Sequence, residues 1–159
     1  MTIRIGFGFD VHRLASGRDC ILGGVLIPHD RGPLGHSDAD VLIHAICDAL
    51  LGAASLGDIG QHFPDTDSSW KGADSKEILK RTMILLQEKG WEVENVDCSL
   101  CLEKPKVMKY APQMRQVLSG LMGVSADQVS IKATTNEGMG FIGREEGLVA
   151  YAVALIKKS

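Results

Sequence analysis

Residues 38 to 56, DADVLIHAICDALLGAASL, constrain the fold more than any other stretch of the chain. They read as a helix from about Asp38 to Leu56, with Ser37 as its N-cap. Val41, Leu42, Ile43, Ala45, Ile46, Cys47, Ala49, Leu50 and Leu51 cover nearly the whole circumference. A helix that is apolar all round belongs inside a protein or a membrane. No apolar run here approaches the ~20 residues that a membrane span needs. The rest of the chain must therefore enclose this helix. Asp40, His44 and Asp48 interrupt it at i, i+4 and i+8, which places them on one narrow stripe. A buried polar stripe is costly unless it is paired or bound to something.

The surrounding segments read as strands and helices in alternation. Residues 2 to 10 predict a strand whose Ile3, Ile5 and Phe7 fill a core, alternating with Arg4, Gly6 and Gly8. Cys20 to Pro28 predicts a hairpin turning at Gly23-Gly24. Asp74 with Glu77 predicts a capping box for a helix that runs to Lys89 and closes at Gly90. WEVENVDCSLCLE alternates as a long strand, Pro112 to Met122 fits a helix, and QVSIKATT is a strand entering the Gly-rich loop NEGMGFIGREEG. LVAYAVALIKK fits strand or helix, and its Val, Tyr and Ile favour strand. These elements predict an α+β fold, an α/β sandwich with one mixed sheet and helices on one face.

The chain has 159 residues and a formal net charge of -3, which suits one domain, 1–159, with a proper core. No basic run advertises a nucleic-acid surface. The N-terminus lacks the basic-then-apolar layout of a signal peptide, so the expected location is the cytoplasm. Cys98 and Cys101 form a CxxC, but in a strand residues i and i+3 point to opposite faces, and no second CxxC completes a zinc ribbon. Together with Cys20 and Cys47 they read as reduced, mostly buried thiols.

Asp10 and His12, two residues apart in an extended segment, point to the same side and can grip one object together. If they meet His44, two imidazoles and a carboxylate form a set suited to zinc with a fourth position open. Asp40 or Asp48 would then orient an imidazole from behind. A core histidine simply bonded to an aspartate fits the spacing equally well. Asp65, Thr66 and Asp67 suit hydroxyl recognition or a solvated turn. Lys104 and Lys106 flank Pro105 at a strand end. Thr134, Thr135 and Glu137 precede Gly138 and Gly140, which suits a phosphate with a hard cation. Together these features describe a metal-assisted site for a polyphosphorylated small molecule. A water-activating zinc phosphoesterase would use the same ligand set. A binding module with a structural metal would normally need a fourth protein ligand.

In the order GFDVHRL, ILGGVLIP, GHSDADVLIHAICDALLGAASLGDIGQHFPDTD, KGADSKEIL, KPK and IKATTNEGMGFIGREEG, the whole chain resembles the 2-C-methyl-D-erythritol 2,4-cyclodiphosphate synthase family of the non-mevalonate isoprenoid pathway. The resemblance implies a homotrimer whose sheets pack around the axis, with active sites between subunits. It implies a cytidine diphosphate substrate, 4-diphosphocytidyl-2-C-methyl-D-erythritol 2-phosphate. The 2-phosphate of that substrate attacks its β-phosphate and releases CMP. By position, Asp10, His12 and His44 match zinc ligands, and Glu137 matches a ligand of a magnesium or manganese ion. His36 and Thr135 match residues that orient the transferring phosphate. Val11 and Ser37 fall among matched substrate contacts; Asp58, Ile59, Gly60, Phe63, Pro64, Asp65, Thr66 and Asp67 match the methylerythritol pocket. Leu102, Glu103, Lys104, Pro105, Lys106, Val107 and Met108, with Ala133, Thr134, Thr135, Asn136 and Glu137, match the nucleotide and diphosphate side. Phe141 and Arg144 match residues near the site and the trimer axis. Gly138, Met139 and Tyr151 depart from the residues frequent in the family at those places.

Overall fold

The computed structural model describes residues 1–64 and 66–158. Strands β1 (Thr2–Ser16), β4 (Arg31–Leu34), β5 (Glu92–Cys101), β6 (Val129–Thr134) and β7 (Gly147–Lys158) form one sheet in the order β4-β1-β7-β5-β6. All neighbours are antiparallel except β5 and β6, whose connection carries helix α4 (Ala111–Met122). That is the expected arrangement for a parallel pair, which needs a long crossover. The expected hairpin forms a separate ribbon of β2 (Cys20–Leu22) and β3 (Val25–Ile27) turning at Gly23 and Gly24. Helices α1 (Val41–Ala53), α3 (Ser75–Glu88) and α4 lie together on one face of the sheet. Two one-turn helices, α2 (Ile59–His62) and α5 (Gly140–Gly143), sit in the connections. The last segment is a strand, β7, as its β-branched content favoured.

The expected burial pattern of β1 is inverted. Ile3, Ile5, Phe7, Phe9 and Val11 are exposed, and Gly6 and Gly8 are buried. The reason is the approach of α1, which leaves no room for side chains between it and the strand. A Cβ on Gly6 would lie 1.9 Å from the Ala49 carbonyl oxygen, and one on Gly8 would lie 1.8 Å from that of Ala45. The apolar residues of β1 therefore form, with Tyr151 and Val153 of β7, a continuous patch on the face opposite the helices. Phe7 and Phe9 stack against Tyr151 at 6.2 and 5.4 Å between ring centroids.

The strand also runs on to Ser16 rather than stopping at Asp10. Pairing with β7 continues through Arg13, and pairing with β4 covers Arg13 to Ser16. Asp10 and His12 are thus held mid-strand.

Helix α1 starts three residues later than expected, and its cap is Asp40 rather than Ser37. The Asp40 carboxylate accepts from the Ile43 N–H at 3.1 Å. It also accepts from the Gly23 and Gly24 N–H groups at 2.9 and 2.7 Å, so one buried carboxylate closes the helix and anchors the ribbon turn. Burial, reinforced by the charge of Asp38, pushes the Asp40 carboxyl up to about 6 against these three donors. The eleven buried residues of α1 include all nine apolar ones read from the sequence. Helix α3 has the expected Asp74 cap and ends at Lys89-Gly90, but no capping box forms, because the Glu77 carboxylate turns to Lys80 at 2.5 Å. Helix α4 carries Pro112 in its first turn and stops at left-handed Gly123.

Gly8→Ala tests the close approach. The added methyl meets helix backbone, which cannot rotate away, so the folded state should lose about 3 kcal/mol or more. Urea unfolding of the purified variant should show this as a lowered midpoint. A midpoint equal to wild type would mean that α1 does not lie on β1 as described.

Candidate active site

The even-numbered side of β1 carries Gly6, Gly8, Asp10 and His12 in that order, and α1 lies over it. The glycines let the helix down onto the strand. His44, in the first turn of α1, then faces Asp10 and His12. Asp10 Oδ2 lies 2.9 Å from His12 Nδ1 and 3.1 Å from His44 Nδ1, and the two imidazole centroids are 5.4 Å apart. One ligand atom from each of the three residues falls within 4.8 Å of the others.

The arrangement fits a divalent cation better than a satisfied core histidine. His12 Nδ1 is buried and has no hydrogen-bond partner, despite its short distance to Asp10. The contact is close but not aligned as a hydrogen bond, as expected when two ligand atoms aim at a shared third point. Burial would raise the Asp10 carboxyl, but the close approach and charge of the His12 and His44 rings outweigh it and leave it below the ordinary value. Burial likewise disfavours an imidazolium at His44, and there the hydrogen bond and charge of Asp10 outweigh it and move the pKa upward.

Neither Asp40 nor Asp48 orients an imidazole, contrary to expectation. Asp40 is committed to three amides, and Asp48 accepts from the Ile59 N–H at 2.8 Å, fixing the start of α2. The partners of His44 on its far edge are hydroxyls. Its Nε2 lies 2.9 Å from Ser75 Oγ and 3.3 Å from Ser37 Oγ.

A cleft of about 410 Å³ opens beside the triad. It gathers the expected Asp10, Val11, His12, His36, Ser37, His44, Ile59, Gly60, Phe63 and Pro64. His36 Nε2 is buried there without a partner, so its ring is poised for a ligand. Asp58 caps α2 through the Gln61 N–H at 3.0 Å, and Asp67 caps the following turn through Ser69 at 2.9 Å. Both carboxylates thus shape the rim. Thr66 is exposed, and Asp65 lies outside the described residues.

Eight more of the expected residues, Leu102, Pro105, Lys106, Val107, Met108, Ala133, Thr134 and Thr135, wall a second, smaller cleft of about 150 Å³. Glu103 accepts from the Asn136 and Gly138 N–H groups at 2.8 and 3.3 Å, tying the end of β5 to the loop after β6. Glu137 is an exposed carboxylate on a left-handed residue, φ 52, whose N–H reaches Thr135 Oγ1 at 3.4 Å. Lys104 points instead to Glu145, at 3.0 Å. Arg144 pairs with Glu146 at 2.9 Å, and Phe141 borders a shallow depression shared with Val11 and His12. One chain therefore carries the two groups of expected residues in separate clefts.

Gly35, Trp70, Ile78 and Ser75 belong to the site and were not read from the sequence. Gly35 is needed for space, since a Cβ there would sit 2.8 Å from His12 Nε2. Trp70 meets Phe63 edge-on, 4.9 Å between centroids. No periodicity marks these positions, because their roles arise from distant parts of the chain.

A family model described as the YgbB family matches residues 3–157. The chain belongs to this family. A Bacteroides fragilis protein named 2-C-methyl-D-erythritol 2,4-cyclodiphosphate synthase is 56% identical over 99% of this chain and 99% of its own length. Among solved structures, the bifunctional IspDF of Campylobacter jejuni superposes with a TM-score of 0.96 at 39% identity, covering 99% of this chain and 43% of that longer one. A structure of 2C-methyl-D-erythritol-2,4-cyclodiphosphate synthase in its CDP-bound form superposes with a TM-score of 0.89 at 40% identity, covering 97% of this chain and all of the other.

The triad predicts a simple loss. His44→Ala should lower bound divalent metal to about a tenth of an equivalent per chain or less, because two remaining ligands hold such an ion poorly. Far-UV circular dichroism should stay that of the wild type. Full metal content by elemental analysis would mean that His44 is not a ligand.

Proposed function

We propose that this chain is a 2-C-methyl-D-erythritol 2,4-cyclodiphosphate synthase that works as one domain, 1–159, in the cytoplasm. The observation that carries the reading is the Asp10, His12 and His44 triad at the mouth of a cleft, with His12 Nδ1 buried and unpartnered. The substrate is 4-diphosphocytidyl-2-C-methyl-D-erythritol 2-phosphate. An oxygen of its 2-phosphate forms a bond to the β-phosphorus while the bond from β-phosphorus to the bridging oxygen of CMP breaks. The products are the cyclic diphosphate and CMP. The attacking oxygen belongs to the substrate itself and CMP carries away the broken bond's oxygen, so the protein needs no covalent nucleophile.

The obstacle is repulsion between two anionic phosphates. Asp10, His12 and His44 hold zinc, and Glu137 contributes to a magnesium or manganese site. Bound there, the cations supply Lewis-acid charge neutralisation. The chain's own residues do the positioning. His36 and Thr135 donate to the transferring phosphate and hold it against its acceptor. Ile59, Gly60, Phe63 and Pro64, with the rim shaped by Asp58 and Asp67, enclose the methylerythritol carbons. Lys106 and the Thr134 and Thr135 hydroxyls receive the cytidine diphosphate end.

The separation of the two clefts supports a site divided between subunits of a homotrimer. The bare apolar face of β1 and β7 supports the same assembly, since an exposed patch of this kind marks an interaction surface. Among the described residues no helix is long and apolar enough to cross a membrane.

Incubation with the diphosphocytidyl substrate should yield CMP and the cyclic product by phosphorus NMR, with no oxygen incorporated from labelled water. A linear phosphate carrying labelled oxygen would instead make the protein a phosphoesterase. The divided site is tested by mixing. His44→Ala and Glu137→Ala homotrimers should each be nearly inactive. In a cyclic trimer each interface joins one face to a different one, so random co-assembly restores an intact site at about a quarter of interfaces. Activity should return to about a quarter of wild type. Continued inactivity, with mixed trimers seen by native mass spectrometry, would place each site within one chain.

A further inference from the structure

We propose that Ser75 and Asp38 are positioning residues that lock His44 in the one tautomer able to bind metal through Nδ1. The inference rests on the reading of His44 as a metal ligand and goes beyond it. It follows from counting donors. Asp38 Oδ1 already accepts the Asp40 N–H at 3.1 Å, and Asp38 Oδ2 accepts the Ser75 N–H at 3.0 Å. Both carboxylate oxygens thus act as acceptors. The Ser75 hydroxyl lies in hydrogen-bond contact with Asp38 Oδ1, so it must donate to it.

A hydroxyl has one proton to give. With that proton committed to Asp38, the 2.9 Å contact between Ser75 Oγ and His44 Nε2 leaves Ser75 only as acceptor. His44 Nε2 must therefore carry the hydrogen. Nδ1, which donates to Asp10 Oδ2 at 3.1 Å while no metal is bound, is then the ring nitrogen that exchanges its proton for a metal, because Nε2 keeps its own. Ser37 does not reverse the assignment. Its Oγ accepts the Ala39 N–H at 3.1 Å and, at 3.3 Å from Nε2, is the longer contact, with a lone pair free to accept from the same ring N–H.

The relay is rigid at every joint. Ser75 is fully buried at the first position of α3, and the Asp38 N–H is tied to the Ala73 carbonyl at 3.1 Å. His44 itself is buried on α1. Two helices and the loop before α1 thus fix one ring nitrogen. Partners of this kind behind a metal-bound imidazole typically change metal affinity 10- to 100-fold.

The test measures zinc affinity by competition with a chromophoric chelator on the purified full chain. Ser75→Ala removes the acceptor. Asp38→Asn keeps the shape but offers an amide that can donate to Ser75 and free its hydroxyl from donating away. Both should weaken zinc binding about 10- to 100-fold. Ser75→Thr, which keeps the hydroxyl, should bind close to wild type. In zinc-loaded protein with 15N-labelled histidine, the slowly exchanging Nε2 proton of His44 should be visible in wild type and lost in Ser75→Ala. Thermal unfolding separates these effects from loss of fold, and Asp38→Asn carries the test should Ser75→Ala not fold. Wild-type zinc affinity in both folded variants would overturn the relay while leaving the ligand assignment standing. Absence of stoichiometric zinc in wild type would overturn the ligand assignment and the relay together.

Discussion

The structure depends on the contact between the backbone of α1 and the glycines of β1. Gly6 lies beneath Ala49 and Gly8 beneath Ala45, with less than 2 Å between where each Cβ would be and a helix carbonyl oxygen. That contact sets the depth and the register of the helix on the strand. With Ala45 over Gly8, the next inward position of the strand, Asp10, is brought to His44. The clustering of Asp10, His12 and His44 is therefore a consequence of core packing, and its geometry is as stiff as the core. Asp40 completes the same construction by capping α1 and anchoring the β2–β3 turn with one carboxylate.

The same contact explains where the apolar residues of β1 go. Glycines must face the helix, so Ile3, Ile5, Phe7, Phe9 and Val11 must face the other way. Strand β1 thus acquires a helix-covered side of glycines and an open side of large apolar residues. This is a poor arrangement for an isolated chain and a good one for a chain that buries its open side against copies of itself. The divided clefts have the same logic. Asp10, His12 and His44 lie where β1 and α1 meet, whereas Lys106, Thr134 and Thr135 lie at the ends of β5 and β6, on the other side of β7.

Polar groups around the triad show how a buried site is kept in order. Every carboxylate of the α1 stripe has a structural task, and the imidazole is served by serines. In the proposed relay the Ser75 hydroxyl stands between the ring and the Asp38 carboxylate, which lies one hydrogen bond farther back.

The sequence by itself determined the elements and the chemistry of the ligand set. Local period and caps mark α1, α3, α4 and the Gly23-Gly24 ribbon, because these depend on neighbours within a few residues. The i, i+2 spacing of Asp10 and His12 places both on one side of a strand whatever else the chain does. Family motifs placed His36, Lys106 and Thr135, and the structure sets them at the walls of clefts. Only the tertiary structure decided which face of β1 is inside, since alternation gives two faces and not which one meets a helix. It also decided that Asp40 rather than Ser37 caps α1, because Asp40 is fixed by the distant Gly23 and Gly24 amides. Ser75 and Gly35 entered the site for the same reason. Their roles are set by contacts with residues 31 and 23 positions away in the chain, which no local pattern encodes.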